Sequence, residues 1–412
     1  MRFPLQTPPP VPGGANNYNR RTIGTLERIR TARRAAEIQP FEVMDVLARA
    51  HALEAAGRRV VHMEIGEPDF TAPPPVVEAA VKALRDGLTA YTPALGIAPL
   101  REAIAAFYRE RFGVSLAASR VAVTPGASGA LLLLLSLYAE PGDEFLVPDP
   151  GYPGYRHFVR AFEGVAKPLA VAAHSQFQPT LDMVRAGWSP RTRGLLLGSP
   201  ANPTGTVLAA RELERIAAFV AERGGVLIVD EIYQGLVYGA SPATALGAPG
   251  ETVTVGSFSK YFCMTGWRLG WTILPEHRVR DLEKLAQHFF ISPPTVAQHA
   301  ALAALQPGSL QIFESRRAEF ARRRDFLVPA LERAGLAVPA HPQGAFYVYA
   351  DCSRFGDSRS FALELLEREA VAATPGTDFG ANGTQAFVRF AYTRGLAELE
   401  EAATRLQRYC AR

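Results

Sequence analysis

Cysteine is scarce: Cys263, Cys352 and Cys410 are far apart and odd in number, which leaves no basis for a disulfide framework or a paired-cysteine zinc site. A reducing cytoplasm suits such usage. Long apolar runs are missing as well. The longest, residues 130–139, contains Ser136 and is far too short to cross a bilayer, and prolines within residues 1–14 stand where a signal peptide needs an apolar core. A soluble, unexported protein is expected. Charge of one sign is not in excess either: 44 Lys and Arg against 40 Asp and Glu leave +4 over 412 residues, without the basic stripe that nucleic acid requires. The short cluster Arg322-Arg323-Arg324 reads as a solvated helix face. No metal site, internal repeat or low-complexity segment emerges.

The densest chemistry lies between Ser257 and Gly270. The preceding Thr252-Val253-Thr254-Val255 has the β-branched content of a buried strand, so Lys260 is delivered just past a strand end. A lysine there can form a Schiff base with an aldehyde if its surroundings disfavour the ammonium. Ser257, Ser259 and Arg268 add hydroxyls and a fork of NH groups suited to a phosphate. Lysine plus phosphate site suggests pyridoxal phosphate. Taken alone, the segment reads equally well as a solvated lysine and arginine beside a loop.

Residues 1–30, rich in Pro, Asn, Gly and Arg and without periodicity, read as a poorly ordered N-terminal arm. From Pro40 a helix is expected, with Val43, Met44, Val46, Leu47, Ala50 and Leu53 at helical spacing and Gly57 closing it. A strand over 60–65 leads to the turn Gly66-Glu67-Pro68-Asp69-Phe70, and helices over 74–86 and 100–112 flank a loop carrying Tyr91. Between residues 121 and 274 a unit recurs: a short apolar run, a polar or turn cluster, then usually a helix. That alternation signals an α/β fold with a mainly parallel sheet. The runs at 121–123, 145–147, 195–197, 226–229 and 252–255 each end in a polar cluster, and in open α/β sheets ligands sit beyond the carboxyl ends of the strands. The five clusters therefore converge on one crevice. A further strand over 269–274 and three helical stretches to about Gly335 follow. Strands at 345–349 and 386–392, a helix at 360–369 and a closing helix from Leu396 form a smaller α+β region.

Four motifs stand in order: Ser199-Pro200-Ala201-Asn202-Pro203-Thr204-Gly205, Asp230-Glu231-Ile232-Tyr233, Ser257-Phe258-Ser259-Lys260 with Gly266-Trp267-Arg268-Leu269-Gly270, and Val388-Arg389-Phe390. Together they resemble the class I and II aminotransferases, pyridoxal-phosphate enzymes of the aspartate aminotransferase fold type I. The resemblance runs from about Ile38 to the C-terminus. It implies a seven-stranded sheet in a large cofactor-binding domain over 61–310, and a small domain from 31–60 and 311–412. It also implies transfer of an amino group from an L-amino acid to a 2-oxo acid, with 2-oxoglutarate expected. Lys260 would hold the cofactor as an internal aldimine and, once released, move the proton as a general base.

By the same resemblance Asp230 pairs with the pyridine nitrogen, Asn202 and Tyr233 bond the ring oxygen, and Tyr152 stacks on the ring. Gly126, Ala127 and Ser128, at a helix N-terminus, join Ser257, Ser259 and Arg268 on the phosphate. Arg389 takes the substrate carboxylate, which Gly66 lets the backbone approach. Tyr91 reaches the cofactor of a neighbouring subunit, which implies a homodimer. By themselves Asp230 could cap a helix, Asn202 and Tyr152 could serve turns, and Arg389 could face outward. Cys263 departs from the family pattern and reads as packing. No residue matches the basic side chain that aspartate-specific members use for a distal carboxylate. Phe70, Phe346 and Tyr347 hint at an apolar or aromatic side-chain pocket, although such residues usually pack in cores. A C–S β-lyase or related elimination enzyme, and a non-catalytic ligand-binding domain, share the fold and stay open.

Overall fold

Apolar runs between residues 121 and 273 pair into the central sheet of the computed structural model, which describes residues 30–239 and 243–411. The expected N-terminal arm over 1–30 lies outside them, Arg30 apart. Helix α1 (Arg33–Glu37) belongs to a separate unit from Ile38–Arg412. The latter opens with α2 (Glu42–Ala55), β1 (Val61–His62), α3 (Pro74–Arg85) and α4 (Ala98–Phe112). Four strand–helix pairs follow: β2 (Val121–Thr124) with α5 (Gly126–Tyr138), β3 (Glu144–Asp149) with α6 (Pro153–Ala161), β4 (Val165–Ala170) with α7 (Leu181–Gly187), and β5 (Thr192–Gly198) with α8 (Ala210–Glu222). Strands β6 (Val226–Asp230), β7 (Glu251–Ser257) and β8 (Gly270–Ile273) complete the sheet.

Its order is β2-β8-β7-β6-β5-β3-β4, and only β8 runs against its neighbours. The expected seven-stranded, mainly parallel α/β architecture is present. Alternate side chains enter opposite layers: Phe145, Leu196 and Ile228 face α5, whereas Leu146, Leu195, Leu197 and Leu227 pack with Ile216 and Phe219 of α8. Helix α5 is apolar nearly all round, which suits its burial against the sheet. Strand β4 was not anticipated, because Lys167 and Pro168 break its pattern; it is an edge strand, where a proline need not donate to a ladder.

The chain continues through α9 (Glu276–Phe289), α10 (Thr295–Ala304) and α11 (Pro307–Arg333) to β9 (Tyr347–Asp351), α12 (Ser358–Glu369), β10 (Val371–Ala372), β11 (Thr374–Pro375), β12 (Phe387–Ala391) and α13 (Leu396–Cys410). Strands β11, β12 and β9 form an antiparallel sheet, and β1 pairs with β10 in parallel. The strand expected at 345–349 begins two residues later, because Ala345 has φ +56° and its carbonyl receives the hydroxyls of Tyr238 and Tyr392. The strand expected over 60–65 shrinks to Val61–His62. Beyond it the Glu64 carbonyl is taken by side chains, Thr374 Oγ1 at 2.9 Å and Arg389 Nη2, instead of by a neighbouring strand. The three cysteines are all free. Among the described residues no helix is long and apolar enough to cross a membrane.

The arginine cluster of α11 corrects the expectation of a solvated face. Arg322 is outside, but Arg323 is buried: it bonds Asp69 Oδ1 at 2.8 Å and Glu319 Oε1 at 3.0 Å and lies over Phe70 and Phe320. Arg324 covers Tyr238 and donates to Pro342 O. The helix turns its arginines inward because their planar heads stack on aromatic faces while still meeting acceptors. Arg323→Ala is expected to cost about 2 kcal/mol, since it empties the packed site over Phe70 and Phe320 and removes charge-assisted bonds to Asp69 and Glu319, and Arg322→Ala within about 0.5 kcal/mol. Equal urea-unfolding midpoints for the two variants would overturn the distinction.

Candidate active site

The carboxyl ends of β5, β6 and β7 lie side by side, with Gly198 paired to Asp230 and Asp230 to Val255. The loops that follow open on one cavity of about 330 Å³. Every residue expected at the site lines it except Gly126 and Tyr91. Gly126 stands directly behind the Arg268 guanidinium. Tyr91 is 80% exposed, outside this chain's cavity.

Lys260 follows β7 and its Nζ donates to the Gly66 carbonyl at 2.7 Å. Burial pulls its pKa down to about 8; Arg389 and Arg268 push the same way, against Glu67 and Asp230. Asp230 ends β6, where Oδ2 accepts the Tyr155 hydroxyl at 2.8 Å and Oδ1 the Ile232 NH at 3.2 Å. Burial raises its pKa to about 6 despite those bonds. Such a carboxylate calls for a cationic NH. Tyr155 was missed in the sequence, although its place three residues after Tyr152 at the start of α6 was a usable signal: the two rings meet edge to face at 5.3 Å.

Groups that could hold an anion gather at the start of α5. Ser257 Oγ accepts the Ser259 NH at 3.0 Å, and Arg268 is steadied by the bond from Nη1 to Thr265 O at 2.9 Å. Its Nη2 approaches residue 126 so closely that a Cβ there would sit 2.5 Å away, and φ is +73°, so only glycine suits the position. The unpaired NH groups of the first turn of α5 complete a cradle for phosphate.

Arg389 projects from β12 between the rings of Tyr347 and Phe379, 4.4 and 4.8 Å from their centroids. Nη1 donates to Asn202 Oδ1 at 3.0 Å and Nη2 to Thr374 Oγ1 at 3.0 Å, while Nε is sealed from solvent without a partner. Among the described residues it forms no ion pair, so this buried cation fits an incoming carboxylate. Tyr233 and Tyr347 share a 2.8 Å bond between hydroxyls. Gly66 is required where it stands, because a Cβ would come within 2.1 Å of the Tyr347 oxygen.

The apolar wall differs from expectation. Of the aromatics proposed for it, only Tyr347 lines the cavity; Phe70 packs on Phe320, and Phe346 lies behind Tyr233. The wall comes instead from Phe41, Val43 and Met44 at the start of α2, where core periodicity gave way to the cavity: Met44 is 52% exposed. Phe41 stacks on Tyr152, and the Glu42 NH donates to Asp378 Oδ1 at 2.9 Å. Cys263 is buried away from the cavity, and burial raises its pKa.

The family description "Aminotransferase class I and II" matches residues 58–406. The valine–pyruvate aminotransferase of Mycobacterium tuberculosis is 39% identical over 90% of this chain and 96% of its own. The aspartate/prephenate aminotransferase of Thermus thermophilus is 37% identical over 92% and 99%. The structure of the Thermus thermophilus aspartate aminotransferase with maleate superposes with a TM-score of 0.87 at 36% identity, covering 92% of this chain and 99% of that one.

With its pKa near 8, Lys260 is expected to react with aldehydes as pH rises through that value. Borohydride trapping with pyridoxal phosphate, read by peptide mass spectrometry, should label Lys260 with a midpoint of about 8. A pH-independent yield at this peptide would contradict the buried amine.

Proposed function

The chain belongs to the class I and II aminotransferases, and on that premise we propose that it moves an amino group from an L-amino acid to a 2-oxo acid with pyridoxal phosphate held at Lys260. The observation that carries this reading is the meeting, in one cavity, of a deprotonable lysine, a buried carboxylate short of a cation and a buried arginine short of an anion. The glycine-bounded Arg268 cradle suits the phosphate, so the residues present fit the group.

When bound, the cofactor supplies an aldehyde that takes up the amino group and a protonated ring that accepts electrons. The first turn of α5, Ser257, Ser259 and Arg268 would hold its phosphate, and Asp230, fixed by Tyr155, would pair with its ring nitrogen. Asn202 and Tyr233 would bond the ring oxygen, and Tyr152 would stack on the ring. Arg389 binds the substrate carboxylate and orients the Cα–H bond. Lys260, its ammonium disfavoured, would take the proton from the substrate Cα and hold it at Nζ for return. We assign the cofactor-binding lobe to 61–310 and the small lobe to 31–60 and 311–412.

The relatives act, by their names, on valine with pyruvate and on aspartate or prephenate at nearly equal identity, so identity does not choose the donor. The wall of Phe41, Val43 and Met44 favours donors with apolar side chains. 2-Oxoglutarate is the assigned acceptor. We further assign a homodimer. Val77, Val81 and Leu84 make an exposed apolar stripe on α3 that continues to Leu88 and Tyr91, as a partner surface would. Tyr91 would then serve the neighbouring cofactor.

Adding an apolar L-amino acid should bleach the visible cofactor band, and 2-oxoglutarate should restore it; pyruvate is the control acceptor. Lys260→Ala should abolish the cycle. Arg389→Ala should raise the donor KM roughly 100-fold, on the scale of a lost charge-assisted bidentate pair. Pyruvate and ammonia released from a cysteine-type substrate, without cycling, would favour the lyase. By light scattering, Val81→Glu with Leu84→Glu should halve the mass; an unchanged mass would remove α3 from the interface.

A further inference from the structure

The cavity wall contains a carboxylate that the proposed reaction does not use. Glu64 is wholly buried, lines the cavity, and leaves Oε2 sealed from solvent without a hydrogen-bond partner. Its Oε1 meets His62 Nδ1 at 2.7 Å, and His62 Nε2 meets Glu54 Oε1 at 3.1 Å on the surface of α2. The backbone of Glu64 is bound to the substrate site as well, since its carbonyl receives Arg389 Nη2 and Thr374 Oγ1. One short segment thus joins a surface carboxylate, a histidine, a buried carboxylate with one unpartnered oxygen and the arginine at the substrate site.

We propose that His62 is a positioning residue for substrate binding: clamped as an imidazolium between Glu54 and Glu64, it holds the Glu64 segment against Arg389 and offsets the Glu64 charge beside the carboxylate site. The inference rests on the aminotransferase reading in taking Arg389 as the carboxylate's partner. The hydrogen bond to Glu64 raises the His62 pKa most, burial opposes it, and Glu54 adds to it. From α2, Glu54 and His51 face the ring, the latter at 5.9 Å between centroids; Arg394, after β12, donates to the His62 carbonyl at 3.2 Å; Arg389 faces the Glu64 backbone. The sign follows. Below the raised pKa the imidazolium balances Glu64 and the substrate carboxylate meets a net cationic site. Above it Glu64 stands uncompensated and repels that carboxylate.

The test is steady-state kinetics of the cofactor-loaded enzyme from pH 6 to 9, with His62 titrated separately by imidazole NMR. In the wild type the donor KM should rise through the His62 midpoint while kcat holds. His62→Gln should raise KM about tenfold at neutral pH, on the scale of one pK unit of interaction, keep kcat within about twofold, and remove the pH-dependent rise. Glu64→Gln, which keeps the bond but not the charge, should also flatten the KM profile, and it decides the matter if the histidine variant does not fold. A wild type that transaminates, with variants that lose thermal stability yet retain its KM and pH profile, would reduce His62 to a structural residue. A wild type that cycles no donor would instead defeat the aminotransferase reading.

Discussion

Burial of charge in one cavity is the constraint on which the structure depends. Lys260, Arg389, Asp230, Glu64 and Asp378 line the same space and lose hydration there, while Arg268 stands at its exposed rim. The shifts follow: the lysine is pulled down to about 8 and Asp230 pushed up to about 6, both chiefly by burial. Neither shift stabilises the apoprotein at neutral pH. The Asp230 contribution is fullest below its unfolded value near 3.8 and is lost as pH rises through about 6; that of Lys260 is fullest above 10.5 and is lost as pH falls through about 8. A cofactor and a substrate carboxylate of complementary charge would offset this cost, which makes the destabilised groups the candidate binding site.

The scaffold that tolerates these charges is apolar and close-packed. Two layers of alternating Leu, Ile, Val and Phe cover the faces of the large sheet, and the polar groups that this sheet sends to the cavity stand at the carboxyl edge of its strands. Three of these charges are each steadied by neutral groups: Asp230 by Tyr155, Lys260 by the Gly66 carbonyl, Arg389 by Asn202, Thr374 and two aromatic faces. Neutral partners keep orientation without discharging the groups, which leaves each available to a ligand.

Shared fold and chemistry coexist with divergent donors among relatives of 37 to 39% identity. The reason lies in how the cavity is assembled. Its cationic and anionic floor comes from strand ends of the sheet and from β12, whereas the apolar wall comes from the start of α2. Substitutions in that wall alter the side-chain space while the strand-end groups keep their places, although Phe41 also stacks on Tyr152.

The recurrence of apolar run, polar cluster and helix was enough to determine an α/β fold with a mainly parallel sheet, because strand burial and crossover direction follow from local pattern. It also placed Lys260, Asp230, Asn202 and Arg268 on one edge, since chain direction alone puts residues after parallel strands on the same side. Edge strand β4 escaped, for an outer strand need not be apolar. So did Tyr155 and Glu64, whose roles depend on partners 75 residues away in one case and, for the Glu64 carbonyl, 325 in the other. Arg323 looked like its solvated neighbour Arg322 until Asp69 and Phe70 were brought against it. Period and propensity are local, and they fix which residues reach the crevice; which of them touch, and how far burial moves their charges, is set by long-range packing that only the tertiary structure decides.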